Sequence, residues 1–252
     1  MVVDERPECG DETVYRGQPT TKKSKGLSNV IYICDKLDTA MQTVFLPMFP
    51  LRLVAYPGEA LNLHIFEPRY KQLINECEAK GTTFGIPAYL NDEVQTVGTE
   101  IRLVSIDKRY PKGEMDIRTE GTGLFRIREF FPNVENRLYT GAEVERLPYD
   151  LDGDYVKYER ILEYLAELYD ILQIRKPLPQ LTPDFHTYDI AHLVGFSLQQ
   201  EYELLCITGE TARQNYMLDH IENLLPTARE MESLRQKVQM NGHFKNILPP
   251  KV

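Results

Sequence analysis

The sequence has no tryptophan, and its four cysteines, Cys9, Cys34, Cys77 and Cys206, are scattered without a C-x-x-C pair. That spacing excludes a zinc knuckle and a disulfide framework. No apolar run approaches the ~20 residues that span a bilayer, so no membrane partner is expected. The N-terminus carries Asp4 and Glu5 where a signal peptide would be basic, and the cytoplasm is the expected location. Basic residues are the scarcer charge: 29 Lys and Arg against 38 Asp and Glu give a net −9. Both main segments are acidic, −4 over residues 41–153 and −6 over 154–240. Nucleic-acid binding leaves a basic footprint, so no nucleic-acid partner is expected.

Catalytic signatures are missing too. No G-x-x-x-x-G-K-[ST] is present, and the nearest fragment, Lys80-Gly81-Thr82-Thr83, has its lysine on the wrong side of the glycine. Gly195-Phe196-Ser197 lacks the second glycine of a nucleophile elbow. The five histidines form no H-E-x-x-H, and His186 and His192, six apart, do not stack on one helical face. The expectation is therefore a chain with no catalytic residues, no metal site and no cofactor.

The composition that remains, 42% apolar and 27% charged, is that of a globular protein. Its most informative stretch runs from Leu46 to Tyr70. Two short apolar runs meet at Pro57-Gly58, the pair suited to a type II turn because Pro presets φ and Gly accepts φ > 0. In the second run Leu61, Leu63 and Ile65 alternate with Asn62 and His64, a half-buried strand. Glu67-Pro68 ends it, and Pro68 suits a first helical position. Tyr70, Leu73, Ile74 and Cys77 then follow at helical spacing, and Gly81 closes the helix.

Further strands are predicted at 84–90, 94–97, 100–107, 115–119, 124–131 and 142–147, with a turn at Pro111-Lys112-Gly113. Several strands with one helix between the second and third suit a small closed barrel. Leu151-Asp-Gly-Asp154 marks a boundary between a β-rich part, 44–150, and a helical part, 151–252. Tyr158, Ile161, Leu162, Leu165, Leu168, Tyr169 and Leu172 trace one helical face. A second helix is predicted from Thr182-Pro183 to Gly195. Ser197 with Gln200 forms a capping box for a third. Thr208 is read as the cap of a fourth, which Pro226 breaks or kinks. Residues 1–43 lack apolar periodicity apart from Val30–Cys34. Either the natural chain starts at Met41 or this is a disordered tail, and a chain starting at Met41 is expected to fold as well as the whole.

The strand, Pro-Gly turn, strand and Glu67-Pro68-Arg69-Tyr70 helix start resembles the opening of the Lon N-terminal domain, the substrate-recruiting part of the ATP-dependent Lon protease. Val97-Gly98-Thr99, Gly121–Phe130, Ile190–Val194, Gln199–Leu205 and Arg213 extend the resemblance over residues 44 to 240. It implies an α+β fold, a PUA-like β pseudo-barrel followed by a C-terminal helical bundle. It also implies a stand-alone, non-catalytic protein, since full-length Lon carries its ATPase module and Ser–Lys protease domain after this region. The partners implied are unfolded proteins or peptides, with a separate AAA+ protease or chaperone as a further candidate.

Pro50, Pro57, Gly58, Phe66, Glu67, Pro68, Arg69 and Tyr70 are read as scaffold. Glu67 favours the positive end of the helix dipole, and Phe66 and Tyr70 are expected in the core. Tyr110, Phe131 and Tyr139, at strand ends beside Pro or loop residues, are candidates for a peptide platform. The expected activity is reversible binding of unfolded or apolar segments, by side-chain pockets or strand addition. Two rivals stand beside it. An RNA-binding PUA-like module would need a continuous positive groove, and an orphan small-molecule enzyme a deep pocket of converging polar groups.

Overall fold

The computed structural model describes residues 43–243. The readings made for residues 1–40, including Val30–Cys34, lie outside the described residues. Among the described residues six strands and four α-helices follow in order: β1 Val44–Met48, β2 Ala60–Ile65, α1 Pro68–Lys80, β3 Phe84–Leu90, β4 Glu93–Arg109, β5 Met115–Phe131, β6 Thr140–Leu147, α2 Tyr155–Leu172, α3 Leu198–Cys206 and α4 Glu210–His243. A 3-10 helix, Thr187–Leu193, sits between α2 and α3.

The sheet runs β2-β5-β4-β3-β1-β6, and β6 also pairs with β5. That last pairing closes β5, β4, β3, β1 and β6 into a ring, leaving β2 appended to the first half of β5. The fold is thus α+β, a PUA-like pseudo-barrel followed by C-terminal helices. Two strands are longer than the sequence suggested. The runs 94–97 and 100–107 join as β4, and 115–119 and 124–131 join as β5. Gly98 and Gly121, which lie in the gaps between those runs, are points of close approach within continuous strands. A Cβ on Gly98 would lie 2.6 Å from the Phe125 ring, and one on Gly121 would overlap the Tyr56 carbonyl oxygen.

Three apolar clusters hold the structure. Leu46, Met48, Phe125, Ala142 and Val144 fill the ring. Tyr70, Leu73, Ile74 and Cys77 of α1 pack on Ile65, Phe84, Ile86, Ile101, Met115 and Ile117. Val54, Tyr56, Ala88, Leu90, Val97 and Leu124 join the buried faces of the later helices.

Pro57-Gly58 forms the predicted turn, with Gly58 at φ +81° and the Glu59 N–H donating to the Tyr56 carbonyl at 3.2 Å. It joins no hairpin: β2 pairs with β5, and β1 with β3 and β6. The turn instead clips onto β5, where Gly58 N–H meets the Gly121 carbonyl and Gly121 N–H the Glu59 carbonyl, both at 2.9 Å. Pro68 begins α1 and Gly81 ends it in the left-handed region at φ 65°.

Among the helices, four expectations shift. Leu172 is exposed at the end of α2, and Leu162 is only half-buried. The segment after Pro183 becomes helical only at Thr187, where Asp189 accepts the His186 N–H at 2.9 Å. The Gly209 carbonyl, not Thr208, receives the first N–H groups of α4. Pro226 lies inside an unbroken α4. It and Glu222, whose carbonyl loses its partner there, lie on the exposed side, while Ile221, Leu225 and Ala228 keep the opposite face packed. The Ser197–Gln200 capping box of α3 forms as read.

Candidate functional site

A cleft of about 530 Å³ opens where β1, the last turn of α1, the 134–139 loop and one end of the barrel meet. Its apolar lining is Val44, Phe45, Leu46, Pro47 and Val134, and Glu76, Lys80, Glu100, Glu135, Arg137 and Arg146 supply its charges. All of these but Glu135 are paired with one another. Glu76 takes Lys80 Nζ at 3.1 Å, the Tyr139 hydroxyl at 3.0 Å and Arg137 Nε at 2.9 Å. Burial works to raise its carboxyl, but the Lys80 and Tyr139 hydrogen bonds and the Arg137 charge together hold it below the ordinary range. Glu100 accepts two bonds from Arg146, at 2.7 and 2.9 Å, and one from Thr83 at 2.6 Å. The Arg146 bonds hold its carboxyl low against the opposing effect of burial. A general acid or base needs a pKa near the working pH. Both carboxylates are pushed away from it, which disfavours either as a proton-transfer group.

The predicted platform residues divide between two places. Tyr139 lines the cleft, but it is only 5% exposed, its ring in the α1-facing core and its hydroxyl between Glu76 and Arg137. It supports the wall and offers no open face. Phe131 lies beside the cleft, stacked on Phe45 at 6.4 Å. Tyr110 sits far away at the other end of β5, beside Met115 rather than Phe131. The exposed apolar groups at the cleft are Phe45, 45% exposed, and Leu138, 65% exposed and next to the lining residues. Neither was singled out from the sequence, and Leu138, between Arg137 and Tyr139, has no periodic signal.

Around Tyr110 a second surface forms. Its ring meets His64 edge-on at 5.7 Å, and His64 stacks on Phe66 at 6.2 Å. Asp116 accepts from the Tyr110 hydroxyl at 2.7 Å and lies 2.6 Å from His64 Nδ1. Those two bonds, His64 first, hold the Asp116 carboxyl low. Phe66 corrects the expectation of a core residue: it is 60% exposed, whereas Tyr70 is buried against Phe49 at 3.8 Å. The alternation that turns Asn62 and His64 outward, carried one step on, puts Phe66 on their side. The Glu67 carboxylate makes no cap bond to α1; it accepts from Arg69 Nε at 2.8 Å, and the Arg69 guanidinium lies 4.5 Å from the Tyr70 ring centre.

The Pro-Gly turn has a third role. Glu59 accepts the Tyr56 N–H at 2.9 Å and lies 3.3 Å from Nε2 of His192, whose Nδ1 is 2.7 Å from Glu201. The Glu201 and Glu59 hydrogen bonds raise the imidazole pKa to about 9. Tyr56 stacks on Tyr188 at 5.0 Å and donates to the Glu201 backbone carbonyl at 3.1 Å. Gly58 faces His186, and the motif thereby fastens the barrel to the helices.

These features can be set beside known proteins. Residues 45–223 match the family described as the ATP-dependent protease La (LON) substrate-binding domain. The chain belongs to the Lon substrate-binding domain family. The Lon protease of Flavobacterium johnsoniae is 25% identical over 226 residues, an alignment covering 81% of this chain and 26% of that protein. The chain therefore spans about a quarter of that relative's length. Among solved structures, a Lon N-terminal domain protein from Xanthomonas campestris is 26% identical with a TM-score of 0.55, covering 70% of this chain and 98% of that one. The N-terminal domain of Mycobacterium avium complex Lon protease shares the fold, at 17% identity and a TM-score of 0.53, over 71% and 98% of the two chains. In this Lon family member Pro57, Gly58, Pro68 and Tyr70 set turns and packing rather than an exposed site.

Proposed function

We propose that this protein recognises unfolded or exposed apolar protein segments without acting on them chemically, as a substrate-recruiting member of the Lon family. The observation that carries this reading is the cleft. Its apolar side, with Phe45 open to solvent, accepts side chains that a folded protein would hide, and its charges other than Glu135 are paired with one another. Affinity per site is weak, because a flexible segment loses conformational entropy when it is ordered. The role is recruitment, with a separate AAA+ protease or chaperone acting on what is bound, and residues 44–150 and 151–252 serve as its two parts. Against RNA as the ligand, Arg102, Arg118 and His64 on the outer sheet face each meet a carboxylate, Glu120, Asp107 and Asp116 respectively. Immobilised protein is to be offered a reduced, carboxymethylated client and the same client in native form. Retention of the unfolded form alone supports the reading, and equal recovery of both, or of neither, defeats it.

A further inference from the structure

We propose that the outer edge of β2 is a strand-addition site for an extended client segment, with His64, Phe66 and Tyr110 receiving one of its apolar side chains. This rests on the reading of the protein as a peptide binder and names where and how a segment is held.

The argument begins with the ladder. Gly121 N–H donates to the Glu59 carbonyl, and the register continues without a bulge from Ala60↔Glu120 to Ile65↔Met115. In an antiparallel pair, bonded and non-bonded residues alternate. With the 59/121 pair bonded, Leu61, Leu63 and Ile65 turn their backbone groups to β5, while Ala60, Asn62 and His64 turn theirs to the open edge. All three are exposed, and among the described residues no strand pairs that side of β2.

Such an edge invites pairing, and proteins normally blunt it with charge, proline or bulges. The same sheet offers a comparison. Beyond Ile101, β4 is unpaired with β3, and there it carries Arg102, Asp107, Lys108 and Arg109 and breaks register at 103/105 and 106/108. β2 has none of these devices. It reads Ala-Leu-Asn-Leu-His-Ile, with no formal charge in a chain of net −9. A neutral edge imposes no charge requirement on its guest, as sequence-tolerant recognition demands.

The side chains complete the description of the occupant. Leu61 and Leu63 are only half-buried against the α1-facing core. A guest strand would place alternate side chains beside them, extending that apolar layer. On the opposite face, His64 stacks on Phe66 and meets Tyr110 edge-on, a ledge of aromatic faces at the end of the strand. The occupant is thus an extended segment with apolar residues at alternate positions along Leu61 and Leu63 and one further apolar side chain, on its other face, at the ledge; it is bound first through its main chain.

The test uses a fluorescein-labelled peptide of alternating valine and threonine, with one threonine replaced by phenylalanine and with terminal lysines, its N-methylated counterpart, and the full chain with and without Asn62→Pro. Proline at an edge position whose N–H faces solvent is compatible with the strand. Binding read by anisotropy is expected to weaken by about tenfold or more for the Asn62→Pro protein and for the methylated peptide, with the melting temperature of the variant unchanged. If that variant does not fold, the methylated peptide decides alone, because it alters only the ligand. Equal binding of methylated and unmethylated peptides overturns strand addition while leaving the peptide-binding reading intact. A plain peptide that does not bind also overturns it, and retention of denatured client then decides the broader reading separately.

Discussion

Replacing Glu210 by Gln is expected to be among the most damaging single-atom-scale changes available. Glu210 and Arg213 are both fully buried, at the start of α4. The carboxylate accepts the Tyr158 hydroxyl at 2.6 Å, the Thr187 N–H at 2.7 Å, the Thr187 hydroxyl at 2.9 Å and Arg213 Nε at 2.8 Å. Arg213 in turn donates to the carbonyls of Ile207, at 2.8 Å, and Asp150, and lies 4.3 Å from the centre of the Tyr188 ring. One ion pair thus ties α2, the 3-10 helix, the α3–α4 connection and the loop after β6. A glutamine of equal shape leaves the guanidinium charge uncompensated in the interior and turns one acceptor oxygen into a donor facing other donors. Removing one partner of a buried pair costs about 3–5 kcal/mol. For a domain of this size each kcal/mol lowers the melting temperature by about 2–4 °C, so a fall of about 10 °C is expected by calorimetry or circular dichroism. Arg102→Gln, at an exposed pair with Glu120, is the control and should cost less than about 1 kcal/mol. If Glu210→Gln melts within about 2 °C of the parent, or no lower than the control, the pair is not the joint described.

Gly58→Val should lower the melting temperature well below that of Lys112→Ala, because a β-branched residue held at φ > 0 costs about 1–3 kcal/mol and an exposed loop change less than about 0.5 kcal/mol; equal melting temperatures would reject the turn. The His192 contribution follows from its raised pKa. It is complete below about 6.5, the ordinary value, and lost as pH rises through about 9. With the ring two-fifths exposed, it amounts to about 1 kcal/mol after screening, so the parent's advantage over His192→Gln should shrink between those pH values, and a pH-independent gap refutes the pairing. Phe45→Ser and Leu138→Ser should weaken retention of a denatured client severalfold while leaving the melting temperature within about 2 °C; unchanged retention would move the binding surface away from the cleft.

The local readings that succeeded rest on short-range chemistry. Alternation gave the faces of β2, backbone permissiveness gave Gly58 and Gly81 their positions, and reciprocal capping gave Ser197 and Gln200 theirs. What the sequence did not disclose depends on partners distant in the chain. The gaps between the runs at Gly98 and Gly121 close only because Phe125 and the Tyr56 carbonyl press against those glycines, contacts distant in sequence. Tyr139 looks exposed beside a loop until Glu76 of α1 takes its hydroxyl. Pro226 looks like a helix end, but it lies on the exposed side of an unbroken α4. The candidate platform residues Tyr110, Phe131 and Tyr139 do not form one surface, since Tyr110 and Phe131 sit at opposite ends of a 17-residue strand and Tyr139 is buried. Phe66 was within reach, because the period-2 pattern extended past Ile65 assigns it outward. Glu210 and Arg213 were not, since charged residues that pair in a core have the same sequence appearance as those on a surface.

The most direct measurement is amide hydrogen exchange on the full chain with a reduced, carboxymethylated client, against the same client folded. Recognition of unfolded segments predicts that the denatured client alone slows exchange in β2 and in the segments that line the cleft, 44–47 and 134–139. Uniform exchange with both clients, or protection that appears equally with the folded one, would contradict it.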